Sequence, residues 1–198
     1  PNYVNAYNNL ADALINQGKL GQAKECYNKA LAINYEYFQG HNNLGNLLMK
    51  LGQSSEAIAC YRRAISIKSD YFEAHNNLGN ALAEFSSPTL AIASFKKALE
   101  INPNYVDASL NLGSLLLTIG QIKESIVFIN RALTLNPDHA QANFLMGKIL
   151  KVEGKFEDSL YFYSKALSLR PSYPEAMNNM GNVLLELMRI DDAVAIFS

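Results

Sequence analysis

Asn76-Asn77-Leu78-Gly79-Asn80-Ala81-Leu82 is the stretch on which the fold turns. Its first three residues also stand at Asn8-Asn9-Leu10 and Asn42-Asn43-Leu44, in steps of 34 residues. The same step continues through Asn111-Leu112-Gly113, Met146-Gly147 and Asn179-Met180-Gly181. A fixed period of this length marks a chain built by stacking one supersecondary unit. Counting positions 1 to 34 from Val4 reads residues 1–198 as a single array. Its repeats are 4–37, 38–71, 72–105, 106–139 and 140–173, with a shortened sixth over 174–198 and residues 1–3 matching the tail of an earlier repeat.

Each position then has a physical task. Position 8 is Ala11, Gly45, Gly79, Gly113, Gly147 and Gly181. A mid-helix glycine costs about 1 kcal/mol against alanine, so its recurrence implies two helices touching backbone to backbone. Position 20 (Ala23, Ala57, Ala91, Ser125, Ser159, Ala193) is the small residue expected to face it. Large apolar residues recur at position 7 (Leu44, Leu78), position 11 (Leu48, Leu82) and position 24 (Tyr27, Tyr61, Phe95, Ile129, Tyr163, Phe197). Spacings of three and four residues give one apolar stripe per helix. Gly18, Gly52, Gly120 and Gly154 sit where a left-handed cap would end the first helix of a repeat, and Ser86-Ser87-Pro88 replaces the glycine in the third. Pro103, Pro137 and Pro171 end second helices, Asp70 and Asp138 help start the next ones, and Tyr37, Tyr71, Tyr105 and Tyr173 stand where repeats meet. The pattern predicts helices over 4–17, 20–33, 38–51, 54–67, 72–85, 88–101, 106–119, 122–135, 140–153, 156–169, 174–187 and 190–198.

The formal net charge of -1 gives no field that would draw nucleic acid or an anionic membrane, so neither is expected as a partner. Cys26 and Cys60 share position 23, too far apart for a disulfide, and suit a reducing, cytoplasmic compartment. His41 and His75 share position 4, one repeat apart, which reads as packing rather than metal binding; His139 reads as a loop residue. The basic row at position 26 (Lys29, Arg63, Lys97, Arg131, Lys165) is explained by helix dipoles. No phosphate loop, nucleophile elbow or paired carboxylates are present, so neither a catalytic residue nor a cofactor or metal is expected in this segment.

The large residue, Leu-Gly, large residue, Ala, aromatic, Ala and Pro order resembles the tetratricopeptide repeat family over essentially the whole chain. Departures are Ala11, Ser125, Ser159, Tyr35 and Ser69. The resemblance implies an all-α, right-handed superhelical solenoid of antiparallel helix pairs, with the first helices lining a concave groove. Asn9, Asn43, Asn77, Asn111 and Asn179 at position 6 would then form a ladder, joined by Asn46, Asn80 and Asn182 at position 9 and Asn42 and Asn76 at position 5. An asparagine amide offers both donors and an acceptor to an extended peptide backbone. The competing reading is that these amides bond across to the next repeat and specify stacking. The ladder is similar to that in the repeat domain of O-linked N-acetylglucosamine transferases, although Phe144 and Leu145 interrupt it. The carboxylate clamp known in such repeats would need Lys or Arg at positions 2, 5 or 6, and none is there.

The function expected is therefore a protein-interaction scaffold that holds a protein or unfolded peptide. The alternatives are a substrate-recruiting part of a larger glycosyltransferase, or an assembly module that self-associates through uncapped ends, with Val194 and Phe197 partly exposed.

Overall fold

The computed structural model describes residues 2–85 and 87–197, without the side chains of Asn2 and Phe197. The expected Ser86 turn and the exposure of Phe197 therefore lie outside the described residues. Among the described residues there are twelve α-helices and no strand. The chain forms two compact units, 1–103 and 104–198.

The first unit holds α1 (Asn2–Asn16), α2 (Leu20–Ile33), α3 (Phe38–Lys50), α4 (Ser54–Ile67), α5 (Phe72–Glu84) and α6 (Pro88–Ile101). The second holds α7 (Val106–Thr118), α8 (Ile122–Leu135), α9 (Ala140–Val152), α10 (Phe156–Leu169), α11 (Pro174–Glu186) and α12 (Ile190–Phe197). Within each unit consecutive helices pack in pairs, and the first helices of successive repeats also touch: α3 with α5, α7 with α9, and α9 with α11. From α2 onward every helix begins where the periodicity predicts.

Each pair is locked by its position-24 side chain. A β-carbon placed on Gly79 would lie 2.6 Å from the Phe95 ring, and one on Gly147 would lie 2.7 Å from the Tyr163 ring. The glycine therefore makes room for a side chain, where the sequence suggested backbone against backbone. Position 20 does face the same notch: the hydroxyls of Ser125 and Ser159 donate to the carbonyls of Gly113 (2.7 Å) and Gly147 (2.8 Å). Tyr27, Tyr61, Phe95, Ile129 and Tyr163 are all essentially buried. Between repeats, Tyr71 meets Phe38 edge to face at 5.0 Å, and Tyr173 packs on Phe144 at 4.9 Å.

First helices end one residue earlier than predicted, because the last predicted residue, Leu51 for instance, has left helical geometry (φ -87, ψ 0). Gly52 then takes φ 72 and lets Gln53 N–H bond back to the Leu48 carbonyl at 2.9 Å. Helix starts are less conventional than expected. Tyr71 and His139, not Asp70 and Asp138, occupy the N-caps of α5 and α9. His139 is not a loop bystander, since its Nδ1 accepts from Ala142 N–H at 3.4 Å. Asp138 instead pairs with Lys165.

The sixth repeat closes its first helix without a glycine. Met188 takes φ 59, and Arg189 N–H still reaches the Leu184 carbonyl at 2.9 Å. A left-handed conformation costs a residue with a β-carbon about 1–2 kcal/mol. Met188 is 79% exposed, so little packing offsets that cost. Met188→Gly is expected to stabilise the protein by about 1 kcal/mol. Chemical denaturation that showed an unchanged or lower midpoint for the variant would contradict this.

Candidate functional site

The polar residues of the first helices in the 1–103 unit are linked in one direction. Asn77 Nδ2 donates to Asn42 Oδ1 at 3.0 Å, and Asn43 Nδ2 donates to Asn8 Oδ1 at 3.0 Å. Within each pair the contacts are longer, Asn76 Nδ2 to Asn77 Oδ1 and Asn42 Nδ2 to Asn43 Oδ1, both 3.5 Å. Asn8 Nδ2 then donates to Asp12 Oδ2 at 3.2 Å. The other oxygen of Asp12 accepts from the Tyr27 hydroxyl. Two firm bonds between repeats, joined by looser contacts within each pair, thus link three repeats and end on a carboxylate, the strongest acceptor available to them.

This arrangement changes what the ladder residues can offer. Asn42 and Asn76 are 4% and 3% exposed, so they belong to the contact between repeats rather than to an open surface. The Nδ2 groups of Asn43 and Asn77 each commit one proton to the preceding repeat and keep a second. They make the bonds that the stacking reading requires. Asn111 is half-buried. Asn179 is also half-buried and donates to its own helix at the Glu175 carbonyl, 2.7 Å away. Asn9, Asn46, Asn80 and Asn182 are exposed.

Of the exposed group, Asn46 is held in place. The Tyr61 hydroxyl donates to its Oδ1 at 2.8 Å and leaves the Nδ2 protons pointing elsewhere. Burial, and then the bond to Asp12, push the Tyr27 phenol well above its ordinary pKa; burial likewise raises Tyr61. Both phenols remain donors throughout the neutral range. Between α1 and α3 these groups line a cleft of about 220 Å³, with Asp12, Asn43, Asn46, Lys50 and Ile15 around it and Tyr27 beneath. The cleft brings together two ladder residues with an anion and a cation that the sequence reading did not assign to the site. The signal was available at position 9, where Asp12 and Asn46 each lie 15 residues before a buried tyrosine.

Position 4 is structural. His41 Nε2 donates to the Tyr35 carbonyl at 2.9 Å and His75 Nε2 to that of Ser69 at 3.0 Å. In the fifth repeat, Asn143 Nδ2 reaches the equivalent Pro137 carbonyl at 3.0 Å. Among the described residues no group of His, Cys, Asp or Glu could hold a metal ion, and no helix is long and apolar enough to cross a membrane. Cys26 and Cys60 are free thiols, and burial pushes that of Cys60 up.

Burial lowers the His41 pKa below its usual value. A depressed folded-state pKa contributes stability that is present above the unfolded value, about 6.5, and lost as pH falls through the folded value. His41→Asn puts at this position the residue that the fifth repeat uses. It is expected to flatten the loss of stability below about pH 6.5. Identical pH profiles for the two proteins would refute the assignment.

The amide chain makes a second expectation. Asn42→Ala removes the acceptor of Asn77, so a double-mutant cycle with Asn77→Ala should return a coupling of roughly 0.5–1.5 kcal/mol, the net contribution of one such bond. Strictly additive losses would show that the repeats stack without it.

The profile described as TPR repeat matches residues 11–52, 45–84 and 147–187, and the profile described as Tetratricopeptide repeat matches residues 82–149. No curated protein matches the chain in sequence. Among solved structures it is similar to PilF of Pseudomonas aeruginosa (TM-score 0.88, 20% identity, covering 98% of this chain and 88% of that one). It is similar also to PilW, described as a widely conserved type IV pilus biogenesis factor (TM-score 0.88, 23% identity, 98% and 90%). A third is YrrB, described as a TPR protein with an unusual peptide-binding site (TM-score 0.67, 24% identity, 87% and 89%). At these identities the likeness is one of fold. The profiles and the 34-residue register of helix pairs lead to one conclusion: this chain belongs to the tetratricopeptide repeat family.

Proposed function

We propose that the protein is an interaction scaffold that holds an extended stretch of a partner polypeptide against the first-helix face of its 1–103 unit. The observation that carries this reading is the α1–α3 cleft, in which the exposed Asn46 amide, the Asp12 carboxylate and Lys50 surround a buried tyrosine. An extended chain has backbone N–H and C=O groups that must find partners when water is displaced. The cleft offers both kinds, Asp12 as acceptor and the Asn46 Nδ2 and Lys50 as donors. The amide chain beneath keeps α1 and α3 in register, so these groups need little ordering before they bind.

The reading moves the expected contacts from position 6 to position 9 and its neighbours. Asn43 lines the cleft and, like Asn77, also bonds to the preceding repeat, while Asn46 and Asn80 are exposed. A fluorescein-labelled, unstructured 15-residue peptide of Gly, Ser, Ala and Leu is a suitable probe, because the reading depends on backbone rather than side chains. Asn46→Ala with Lys50→Ala is expected to weaken its binding about tenfold, two contacts of roughly 0.5–1.5 kcal/mol each. Lys50 is exposed, but Asn46→Ala takes the acceptor from the buried Tyr61 hydroxyl, so the variant should lose about 1–3 kcal/mol of stability and affinities are compared well below its melting transition. Fluorescence anisotropy showing equal affinity for variant and parent would exclude the cleft.

A further inference from the structure

The second helices of the 1–103 unit carry a different kind of surface. Between α4 and α6, with α5 beneath, lies an open groove of about 340 Å³. Its floor is Leu78 and Leu82, its apolar walls are Ile65 and Leu90, and Arg62 and Lys97 stand on its rims. Leu90 is 54% exposed and lies beside Ile65, Leu78 and Leu82, so its side chain adds to a contiguous apolar lining rather than standing alone. A pocket of this volume lies in the range of about 300–1,000 Å³ that holds small ligands or a few inserted side chains.

The sequence of the third repeat explains why the groove stands open. One repeat earlier, Arg63 reaches across, stacks on the Tyr35 ring at 4.5 Å and pairs with Glu36. At the equivalent positions the third repeat has Lys97, and the loop before it has Ser69 and Asp70. Lys97 turns along its own helix to Glu100 at 2.9 Å instead. Ala93 and Ser94, which also line the groove, are too small to fill it.

Charge narrows the occupant. Arg62 has no ion pair among the described residues. Among the described residues Lys97 has only the exposed ion pair with Glu100, three residues along the same helix, and such pairs contribute little. The His75 ring also lines the groove, with Nε2 committed to the Ser69 carbonyl. An apolar trough between two cations suits an apolar ridge flanked by carboxylates. Backbone chemistry narrows it further. α4 and α6 satisfy their own backbone groups, so an extended strand laid on this floor would leave its amides unpaired. A helix satisfies its own and can set a ridge of side chains between two neighbours.

We propose that the α4–α6 groove docks an acidic amphipathic helix of a partner protein. Large apolar side chains at spacings of three and four residues seat on Leu78, Leu82 and Leu90, and glutamates or aspartates beside them meet Arg62 and Lys97. The site is independent of the α1–α3 cleft and uses none of its residues.

Two labelled 16-residue helical peptides test this against the full chain by fluorescence anisotropy. Both carry Leu at i, i+3, i+4 and i+7; one carries Glu at the flanking positions and the other Lys. The Glu peptide is expected to bind, more weakly as salt rises, and the Lys peptide is not. Arg62→Glu with Lys97→Glu should lower affinity for the Glu peptide at least tenfold and admit the Lys peptide, with an unchanged circular-dichroism melt. Ser94→Phe, which fills the trough, should also block binding. Equal binding of the two peptides, no binding at millimolar concentration, or indifference to charge reversal would overturn the proposal. So would competition by sodium decanoate at least as effective as the peptide's own, which would assign the groove to a fatty acid. Competition by the unstructured Gly, Ser, Ala and Leu peptide would place both ligands in one site and overturn it too.

Discussion

A ring seated in a glycine notch governs the distance between the two helices of a repeat, and everything else in the structure is measured from that contact. Tyr61 on Gly45, Phe95 on Gly79 and Tyr163 on Gly147 leave no room for a β-carbon. Glycine in mid-helix costs about 1 kcal/mol. Fully burying a large side chain returns about 1.5–3 kcal/mol, so the exchange favours the fold. Repeat 1 shows how far the notch can change, since Ala11 replaces the glycine and Tyr27 is still 1% exposed. The fourth repeat reaches the same end with Ile129 on Gly113. What is retained is a bulky side chain against a small one, and not a particular pair.

The same ring connects the core to the surface. In the first two repeats the position-24 hydroxyl passes between the helices and bonds to position 9, Tyr27 to Asp12 and Tyr61 to Asn46. Where position 24 is Phe95 or Ile129 there is no hydroxyl, and Asn80 and Ser114 have no such tether from beneath. In the fifth repeat Tyr163 keeps the hydroxyl, but position 9 is Lys148, whose ammonium lies over the Phe144 ring at 5.7 Å. Pre-organised polar groups are therefore concentrated in the first two repeats. Asp12 has two roles there: it ends the amide chain that crosses three repeats and it holds the phenol under the cleft.

Periodicity made most of the fold legible. Apolar stripes of period 3.6 and left-handed glycine caps depend on local geometry, which the chain states directly. The starts of α2 to α12 follow from them. What stayed hidden depended on partners. An asparagine has the same donors and acceptor whether it faces a ligand or the next repeat, so Asn42 and Asn43 could not be separated by chemistry alone. The relevant clue was relational: adjacent asparagines at positions 5 and 6, one repeat out of step, can bond each other. His139 does lie between helices, but its capping bond gave no signal because a histidine rarely caps a helix. Met188 gave no signal at all, since methionine is an unexpected residue at positive φ, and only the geometry of the turn reveals the strain.

The two surfaces of the 1–103 unit differ in what they ask of a partner. The cleft between α1 and α3 presents hydrogen-bonding groups of both senses, which reward a chain whose own backbone is unsatisfied. The groove between α4 and α6 presents aliphatic side chains and cations, which reward a segment that is already helical. A partner that folds in one segment and remains extended in another would satisfy both, whereas a uniformly disordered one would have to order a helix before using the second. That ordering cost falls on affinity. On the two binding proposals, separation of the two faces would let the scaffold distinguish partners by backbone state, since the groove between α4 and α6 offers an extended chain no hydrogen-bonding partners.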